Sequence, residues 1–184
     1  MFKSLLLDHI KLFEGLDFLE KEVMQAALIC DNTLKSGGKI IFCGNGGSAM
    51  DSQHIAAELT GRFEKDRVPL AALSLTADNC ALTCISNDYK FDFVFSRQLY
   101  ALGKKEDILI GLSTSGQSPN VLQAFKAAKD LKIPTIALTG KTGGDLAKMA
   151  DLAITVPSNS TARIQEVHIF IGHVICKYIE GNIK

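Results

Sequence analysis

The sequence predicts one doubly wound α/β domain spanning residues 1–184, with a five-stranded parallel sheet flanked by helices. The first 35 residues show helical periodicity and no strand pattern. From residue 39 onwards, short apolar runs that end in turn residues alternate with segments of helical spacing. Two of these runs end in glycine- and serine-rich loops, which open α/β sheets place at their ligand-binding edge. These observations indicate successive βαβ units behind N-terminal helices, with a long C-terminal helix.

The predicted elements follow in order along the chain. Two helices are expected in residues 1–35, where Phe2, Leu6 and Ile10 recur at a spacing of four. The predicted strands are Lys39 to Cys43, Ala71 to Leu75, Ile108 to Leu112, Thr135 to Leu138 and Ala153 to Val156. The predicted later helices are Ser48 to Gly61, Asn79 to Ser86, Phe91 to Leu102, Pro119 to Leu131, Asp145 to Met149 and about Thr161 to Glu180.

The composition of the chain argues against several classes of protein. With 47% hydrophobic and 22% charged residues, the chain is too apolar for a disordered protein. Its 20 basic and 20 acidic residues lack the positive excess typical of nucleic-acid binding. No apolar run approaches the roughly 20 residues that span a bilayer, and no export signal is recognisable. We therefore expect no nucleic-acid or membrane partner and, with 5 scattered cysteines, a reducing cytoplasm.

The loop after the third predicted strand is rich in hydroxyl groups, which come from Ser113, Thr114, Ser115 and Ser118. Gly116 lets the backbone bend, and Ser118 followed by Pro119 is typical of an N-cap and first helical residue. Free amides at a helix start bind anions, and the absence of Lys in the loop favours a phosphate monoester over a nucleoside triphosphate. The alternative is an ordinary capped turn.

The loop after the first predicted strand, Gly44 to Ser48, is rich in glycine. Its spacing differs from the dinucleotide fingerprint, and no acidic residue follows the second strand, so no nucleotide or redox cofactor is expected. Gly46 and Gly47 permit close approach of the backbone to a ligand. Asn45 can donate and accept hydrogen bonds, and Ser48 can cap the next helix. The alternative is a tight turn without a ligand.

The helix after this loop carries a polar stripe, which consists of Asp51, His54, Glu58 and Arg62. A histidine titrates near neutrality and a desolvated carboxylate can act as a base, so His54 and Glu58 suit proton transfer. The same pair could supply two metal ligands. The alternative is a solvated helix face with weak ion pairs. The position directly after a predicted ligand loop favours the functional interpretation.

The last predicted helix is apolar nearly all round, so it is expected in the core or in an oligomer interface. The polar residues that it brings into this apolar segment include Arg163, Gln165, Glu166, His168 and His173. At about 100° per residue, Glu166 shares a face with His173 closely and Gln165 shares one loosely, so spacing leaves both pairings open. For His168 we expect a hydrogen-bonded interior or interface position.

Other polar groups are interpreted as structural. Cys80 and Cys84 lie one helical turn apart but lack further thiols nearby, so we expect them in the core and not at a metal. The charge clusters at residues 64–67 and 104–107 are expected to be solvated loop charges.

Taken together, several segments resemble a known family. They are Gly44 to Ser48, Asp51 to Arg62, Asn87-Asp88, Leu112 to Gly116 with Ser118, and Thr161 to His168 with His173. In this combination the chain resembles, over nearly its whole length, the phosphoheptose isomerases of the sugar-isomerase (SIS) domain superfamily. The serine loop alone marks the superfamily, whereas the combination of His54, Glu58, Gln165 and His173 is far more specific.

The resemblance implies a SIS-like fold and a cytoplasmic homotetramer with sites between subunits, to which the helices of residues 1–35 contribute packing. The implied activity converts sedoheptulose 7-phosphate to D-glycero-D-manno-heptose 7-phosphate through an enediolate, the first step towards nucleotide-activated heptose for lipopolysaccharide core or capsule. Glu58 and His173 would be the catalytic acid/base pair. One zinc ion per subunit would be bound by His54, Glu58, Gln165 and His173. The implied substrate-binding residues are Asn45, Gly46, Gly47, Ser48, Glu58, Arg62, Asn87, Asp88, Ser113, Thr114, Ser115, Ser118 and Gln165.

Two other functions fit parts of the sequence. A non-catalytic SIS-domain protein that binds a sugar phosphate or the replication initiator could keep the serine loop, but it has no reason to keep the full proton-transfer set. An isomerase for another phosphosugar is a nearer alternative, because the serine loop recognises phosphate and not chain length. A zinc-bound Glu58 would be a poorer base, which leaves open whether zinc orients the substrate instead.

Overall fold

The structure, a computed structural model, describes residues 1–183, and Lys184 lies outside the described residues. The helices are α1 (Phe2–Phe13), α2 (Glu20–Lys35), α3 (Gly47–Thr60), α4 (Asn79–Asp88), α5 (Val94–Leu102), α6 (Pro119–Leu131), α7 (Gly144–Met149) and α8 (Thr161–Gly181), with short 3-10 helices at Asp17–Leu19 and Phe91–Phe93. The strands are β1 (Ile40–Gly44), β2 (Ala72–Ser74), β3 (Ile108–Ser113), β4 (Thr135–Gly140) and β5 (Leu152–Val156). Within residues 1–183, no helix combines the length and apolarity that crossing a bilayer requires.

All five strands are parallel and lie in the order β2-β1-β3-β4-β5, which confirms the predicted fold class. Most predicted boundaries agree to within two residues. The exception is Phe91–Phe93, which forms a separate 3-10 turn ahead of α5. From β1 the chain first winds to β2 and then crosses to β3 on the opposite side. The pair β1/β3 is therefore the switch point of the sheet, where ligands bind in folds of this class.

Apolar layers cover both faces of the sheet. Ile40 and Phe42 of β1 pack in the layer formed with α2, α3 and α8, whereas Ile41 packs in the layer formed with α5 and α6. Residues of β1 thus alternate between the two layers, as the two-residue period of a strand requires. The site-bearing helices α3 and α8 belong to the same layer.

Helix α8 approaches α3 closely because Gly172 has no side chain. A Cβ at this position would lie 2.4 Å from Cδ1 of Ile55, too close for the present packing. Ile55 follows His54 in α3, and Gly172 precedes His173 in α8. The close helix contact therefore brings the two histidines beside each other.

The five cysteines are all free and fall into two groups. Cys30, Cys43 and Cys176 are buried, and burial raises the pKa of the Cys43 and Cys176 thiols to about 12. Cys80 and Cys84 are exposed on α4, so the expectation that they lie in the core is wrong. The apolar residues of α4 that pack on the core are Leu82 and Ile85, and the two thiols lie on the other side of the helix.

Both charge clusters expected in solvent contain a buried member, so that expectation is wrong for Asp107 and Arg67. Asp107 is 3% exposed and accepts hydrogen bonds from the backbone N–H groups of Lys39 and Lys104 at 3.0 and 2.8 Å. The Arg67 side chain is 5% exposed and faces Glu180, whose side chain is 2% exposed. In each place, an oppositely charged side chain and hydrogen-bonding backbone groups offset the free-energy cost of burying the charge.

His168 occupies the interior, as expected. It is fully buried on α8, and its Nε2 lies 3.0 Å from the carbonyl oxygen of Thr139 in β4. Within residues 1–183 its Nδ1 has no hydrogen-bond partner. Burial lowers the pKa of His168 to about 4, because desolvation disfavours the imidazolium.

Mild acid should therefore destabilise the protein through His168. The unfolded imidazole has its ordinary pKa near 6.5, whereas the folded one stays neutral down to about 4, so the unfolded state binds more protons in between. Stability is lost as the pH falls through this window, by about 2 kcal/mol between pH 7 and pH 5. Urea denaturation at both pH values measures the loss. In His168→Gln this part of the pH dependence should disappear, and an unchanged dependence would contradict the assignment.

Candidate active site

The two predicted ligand loops lie side by side at the carboxyl edge of the sheet. Gly44, the last residue of β1, is in register with Leu112 of β3. From β1 the chain leads through α3 to β2, and from β3 it leads through α6 to β4 on the opposite side. Because the chain leaves the two strands in opposite directions, a crevice opens between the loops.

The serine loop, residues 113–118, leads into α6. Ser118 is the N-cap and Pro119 the first helical residue, as the sequence predicted. The Ser118 hydroxyl makes no capping hydrogen bond, and its Oγ lies 2.9 Å from Oγ of Ser113. Gly116 has a φ of +65°, and a Cβ there would lie 1.9 Å from the carbonyl oxygen of Gly143. Only glycine fits this contact, which holds the serine loop against the segment after β4.

The glycine loop, residues 45–47, leads into α3. Gly46 is the N-cap and the helix begins at Gly47, so the expectation that Ser48 caps the helix is wrong. Ser48 is buried in the first turn, where its carbonyl accepts a hydrogen bond from the Ser52 hydroxyl at 2.7 Å. A Cβ at Gly47 would lie 2.2 Å from Oε1 of Gln165, so the glycine lets Gln165 of α8 pack onto the loop.

A pair of side-chain amides joins the two loops. Asn45 Nδ2 donates to Asn120 Oδ1, and Asn120 Nδ2 donates to Asn45 Oδ1, both at 2.8 Å. Asn120 lies in the first turn of α6 and is 2% exposed. Sequence reasoning missed this residue, because an asparagine after a Ser-Pro pair belongs to no motif that identifies a partner 75 residues away.

Helices α3 and α8 bring a polar cluster together. His54 Nε2 lies 3.1 Å from Nε2 of His173 and 3.4 Å from Oε1 of Glu58. At this distance one of the two facing Nε2 atoms can donate a hydrogen bond to the other, and the tautomers decide which one donates. The side chains of His54 and Glu58 are 47% and 22% exposed, which leaves the cluster accessible to a ligand. Phe63 covers one side, with its ring centroid 5.6 Å from that of His173.

Helical spacing left open whether Gln165 or Glu166 lies on the site side of α8, and the structure answers this question. Gln165 faces the site, and its Nε2 lies 3.4 Å from Oδ1 of Asp51. Glu166 faces α1, where it accepts a hydrogen bond from His9 at 2.8 Å and pairs with Arg163. Glu166 therefore links α8 to α1 and takes no part in the polar cluster.

Asp51 is a further member of the site region that the predicted site residues did not include. It is buried, and among residues 1–183 its Oδ2 has no hydrogen-bond partner. Burial raises the pKa of its carboxyl group, although the Gln165 amide and the two nearby imidazoles partly offset this effect. Its position in the stripe with His54 was the available signal.

Three predicted substrate-binding residues stand apart from this arrangement. Arg62 is exposed just after α3, and Asn87 and Asp88 are exposed at the end of α4. Asn87 Nδ2 donates to Asp88 Oδ1 at 2.8 Å. In the described part of the chain, none of the three side chains hydrogen-bonds to either loop or to the polar cluster. Their role in binding stays a prediction.

The polar cluster has some of the geometric features of a zinc site. Tetrahedral zinc with Zn–N distances of about 2.0–2.1 Å places neighbouring ligand atoms about 3.3 Å apart. The separations of 3.1 Å and 3.4 Å from His54 to His173 and Glu58 are close to this value. Residues 1–183 contain no group of three or more His, Cys, Asp or Glu side chains already arranged to hold a metal ion. His54, Glu58 and His173 thus fit zinc in type and in two separations, whereas the amide of Gln165 is an unusual zinc ligand. Zinc binding stays a prediction.

Known proteins resemble this chain in sequence and in fold. Residues 11–140 match the SIS domain family. A phosphoheptose isomerase from Campylobacter jejuni is 52% identical over 173 residues, which cover 94% of this chain and 93% of that protein. One from Helicobacter pylori is 49% identical over 180 residues, covering 98% and 94%. The structure of a phosphoheptose isomerase from Neisseria gonorrhoeae superposes with a TM-score of 0.92 at 45% identity, covering 97% and 96% of the two chains. One from Francisella tularensis gives 0.95 at 39% identity, covering 98% and 97%. The chain belongs to the SIS domain family and, within it, to the phosphoheptose isomerases.

Proposed function

We propose that the protein is an enzyme that isomerises sedoheptulose 7-phosphate to D-glycero-D-manno-heptose 7-phosphate. The observation that carries the proposal is the His54–Glu58–His173 cluster on α3, the helix that begins in the glycine loop, which Asn45 ties to the serine loop. Proton-transfer groups joined to a predicted phosphate loop suit a reaction in which protons move and the substrate loses no electrons. The names of the similar proteins support the seven-carbon substrate.

The serine loop would hold the phosphate group. The Ser113 and Ser118 hydroxyls lie together at the start of α6, where the helix dipole favours an anion. The contact between Gly116 and Gly143 holds the loop backbone in place before the ligand arrives. Because the loop contains no lysine, amides, hydroxyls and the helix dipole would stabilise the charge, which suits a monoester.

Isomerisation needs proton transfers at two neighbouring carbons. A base removes a proton from C1 of the ketose while the C2 carbonyl oxygen gains one, and an enediol results. The base then returns a proton to C2, the C1 hydroxyl loses its proton, and the aldehyde forms. We assign the carbon-bound proton to Glu58 and the oxygen-bound protons to His173. His54 lies within 3.4 Å of both groups and orients them.

We also propose that His54, Glu58, Gln165 and His173 bind one zinc ion per subunit. The donor types and the two separations from His54 support this proposal, and Gln165 would turn its amide away from Asp51. A bound zinc ion would polarise the substrate carbonyl and stabilise the enediolate. Since a cation lowers the proton affinity of a carboxylate that binds it, Glu58 can act as the base only when it is weakly held.

We further propose that the protein forms a cytoplasmic homotetramer with its active sites between subunits. Helix α1 buries none of its residues, and Phe2, Leu5, Leu6, Leu7 and Ile10 are all exposed. Beside His173, an apolar groove is lined by Met24, Phe63, Val174 and Tyr178. Exposed apolar surface of this kind is typical of a subunit interface. Light scattering should give the mass of a tetramer, and a monomeric mass would contradict this part.

A mass-resolved product assay tests the proposed reaction. The purified protein is incubated with sedoheptulose 7-phosphate in deuterated water, as prepared, after a chelator, and after zinc is restored. We expect an aldoheptose phosphate that carries solvent deuterium, because the carbon-bound proton passes through an exchangeable carboxyl group. Loss of activity with the chelator and recovery with zinc would support the metal site.

Absence of both product and deuterium exchange, with zinc present and the oligomer intact, would contradict the heptose reaction. Other ketose phosphates would then be assayed for turnover. Failure of all of them would favour a sugar-phosphate-binding protein over an enzyme. In that case the oxygen and carbon proton assignments for Glu58 and His173 would also be withdrawn.

A further inference from the structure

The Asn45–Asn120 pair connects the two halves of the site. Asn45 directly follows β1, and Asn120 follows the serine loop in the first turn of α6. Among the described residues, their two 2.8 Å bonds are the only side-chain hydrogen bonds between residues 45–48 and residues 113–120. They extend the connection between β1 and β3 beyond the last residues that pair as strands.

The hydrogen bonds of the Asn45–Asn120 pair hold both side chains rigidly. Each amide donates to and accepts from the other, which fixes both side-chain planes at once. Asn120 Oδ1 also accepts a hydrogen bond from the backbone N–H of Val121 at 3.0 Å, so the amide is anchored to α6. With 2% exposure, Asn120 is shielded from water that would compete for these bonds. The resemblance implied that Asn45 binds substrate, but here its amide oxygen and one amide proton are already engaged.

We propose that Asn120 is a positioning residue that, through Asn45, fixes the distance between the serine loop and the glycine loop. The glycine loop contacts Gln165 through Gly47 and continues into α3, which carries His54 and Glu58. The pair therefore sets how far the reacting carbons lie from the phosphate. This inference rests on the proposed function. A fixed distance between the loops would select substrates by chain length, which a loop that recognises only phosphate cannot do.

Asn120→Asp tests this role with little change in shape. The new side chain keeps an acceptor for Asn45 Nδ2 but places a second oxygen against Asn45 Oδ1, so one bond becomes a repulsive contact. We expect kcat/KM for sedoheptulose 7-phosphate to fall on the order of 10- to 100-fold, because small misplacements of reacting groups have effects of this size. Inhibition by inorganic phosphate, which needs only the serine loop, is measured in the neutral variant Asn120→Ser, because the carboxylate of Asn120→Asp would repel an anion at the start of α6. In Asn120→Ser it should change less than about twofold, as expected for a ligand that does not span both loops.

Asn32→Asp is the matched control, because Asn32 is exposed on α2 and the substitution adds the same charge. Turnover by Asn120→Asp within twofold of this control would overturn the proposal. A parallel loss of phosphate inhibition in the neutral variant Asn120→Ser would also overturn it, since Asn120 would then merely support the serine loop. If Asn120→Asp does not fold, as shown by its thermal melt, Asn120→Ser removes both bonds with a neutral side chain and is subject to the same criteria.

Calorimetric measurement of ligand affinities tests the positioning role independently of the proposed reaction. The affinity for sedoheptulose 7-phosphate relative to inorganic phosphate should fall in Asn120→Asp even if the wild-type protein shows no turnover. Absent turnover in the wild type would contradict the reaction alone. An unchanged ratio of the two affinities would contradict the positioning role alone.

Discussion

Replacing Glu58 by Gln should reduce turnover of sedoheptulose 7-phosphate by a factor of about 10² to 10⁴, the usual contribution of a general base. The amide is similar in size and still accepts hydrogen bonds, but it cannot take up the carbon-bound proton. Glu58 lies 3.4 Å from His54 and is 22% exposed, so the substitution removes no buried charge. Binding of the sugar phosphate should therefore remain measurable by calorimetry.

The matched control for this variant is Glu106→Gln, which changes an exposed carboxylate just before β3, at the edge of the sheet opposite the ligand loops. Zinc content is measured in parallel, because a lower zinc content would reveal loss of a ligand in place of loss of a base. Full turnover by Glu58→Gln would remove Glu58 from the mechanism. Loss of turnover that excess zinc restores would assign Glu58 to the metal site alone.

Replacing Arg67 by Met should destabilise the fold by about 3 to 5 kcal/mol, the usual effect of breaking a buried ion pair. The guanidinium donates to the backbone carbonyls of Glu58, Leu59 and Gly61 at 2.6, 2.7 and 3.1 Å, at the end of α3 where helical partners are missing. Its Nε lies 3.7 Å from Glu180 Oε1. Methionine fills similar space but leaves the Glu58 and Gly61 carbonyls without this donor and the buried Glu180 carboxylate without its opposite charge. The Leu59 carbonyl and the Glu180 carboxylate keep the backbone N–H groups of Leu70 and Glu64 as donors.

Urea denaturation at pH 7 measures this loss of stability. Arg62→Met is the matched control, because Arg62 is exposed five residues earlier, and its stability should change by no more than about 0.5 kcal/mol. The double variant Arg67→Met with Glu180→Gln should recover part of the loss, since no buried charge is then left unpaired. A loss below about 1 kcal/mol in Arg67→Met would show that the pair contributes as little as a surface ion pair.

Local patterns predicted most of the fold. The strands are continuous apolar runs, and a strand buried on both faces has to be such a run, so β1 and β3 were found with their loops. The start of α6 was also found, because Ser118 and Pro119 act through their own backbone geometry. The positions of both ligand loops at one edge then followed from the parallel direction of the strands.

What sequence reasoning missed depends on distant partners. Arg67 reads as a loop charge until Glu180, more than 100 residues later, is placed beside it. The role of Asn120 likewise depends on Asn45. Helical spacing left open whether Glu166 or Gln165 is the neighbour of His173, because the choice depends on which side of α8 the glycine loop and α1 occupy. Only tertiary packing supplies this information.

The position of α8 in the chain has a consequence for synthesis. A nascent chain that reaches residue 160 already contains all five strands and both ligand loops, yet it lacks Gln165 and His173. It also leaves the apolar surface of α2 and α3 that α8 covers exposed to water and to chaperones. The polar cluster can form only after this last helix has docked. The proposed proton transfers would therefore begin only after the core is closed.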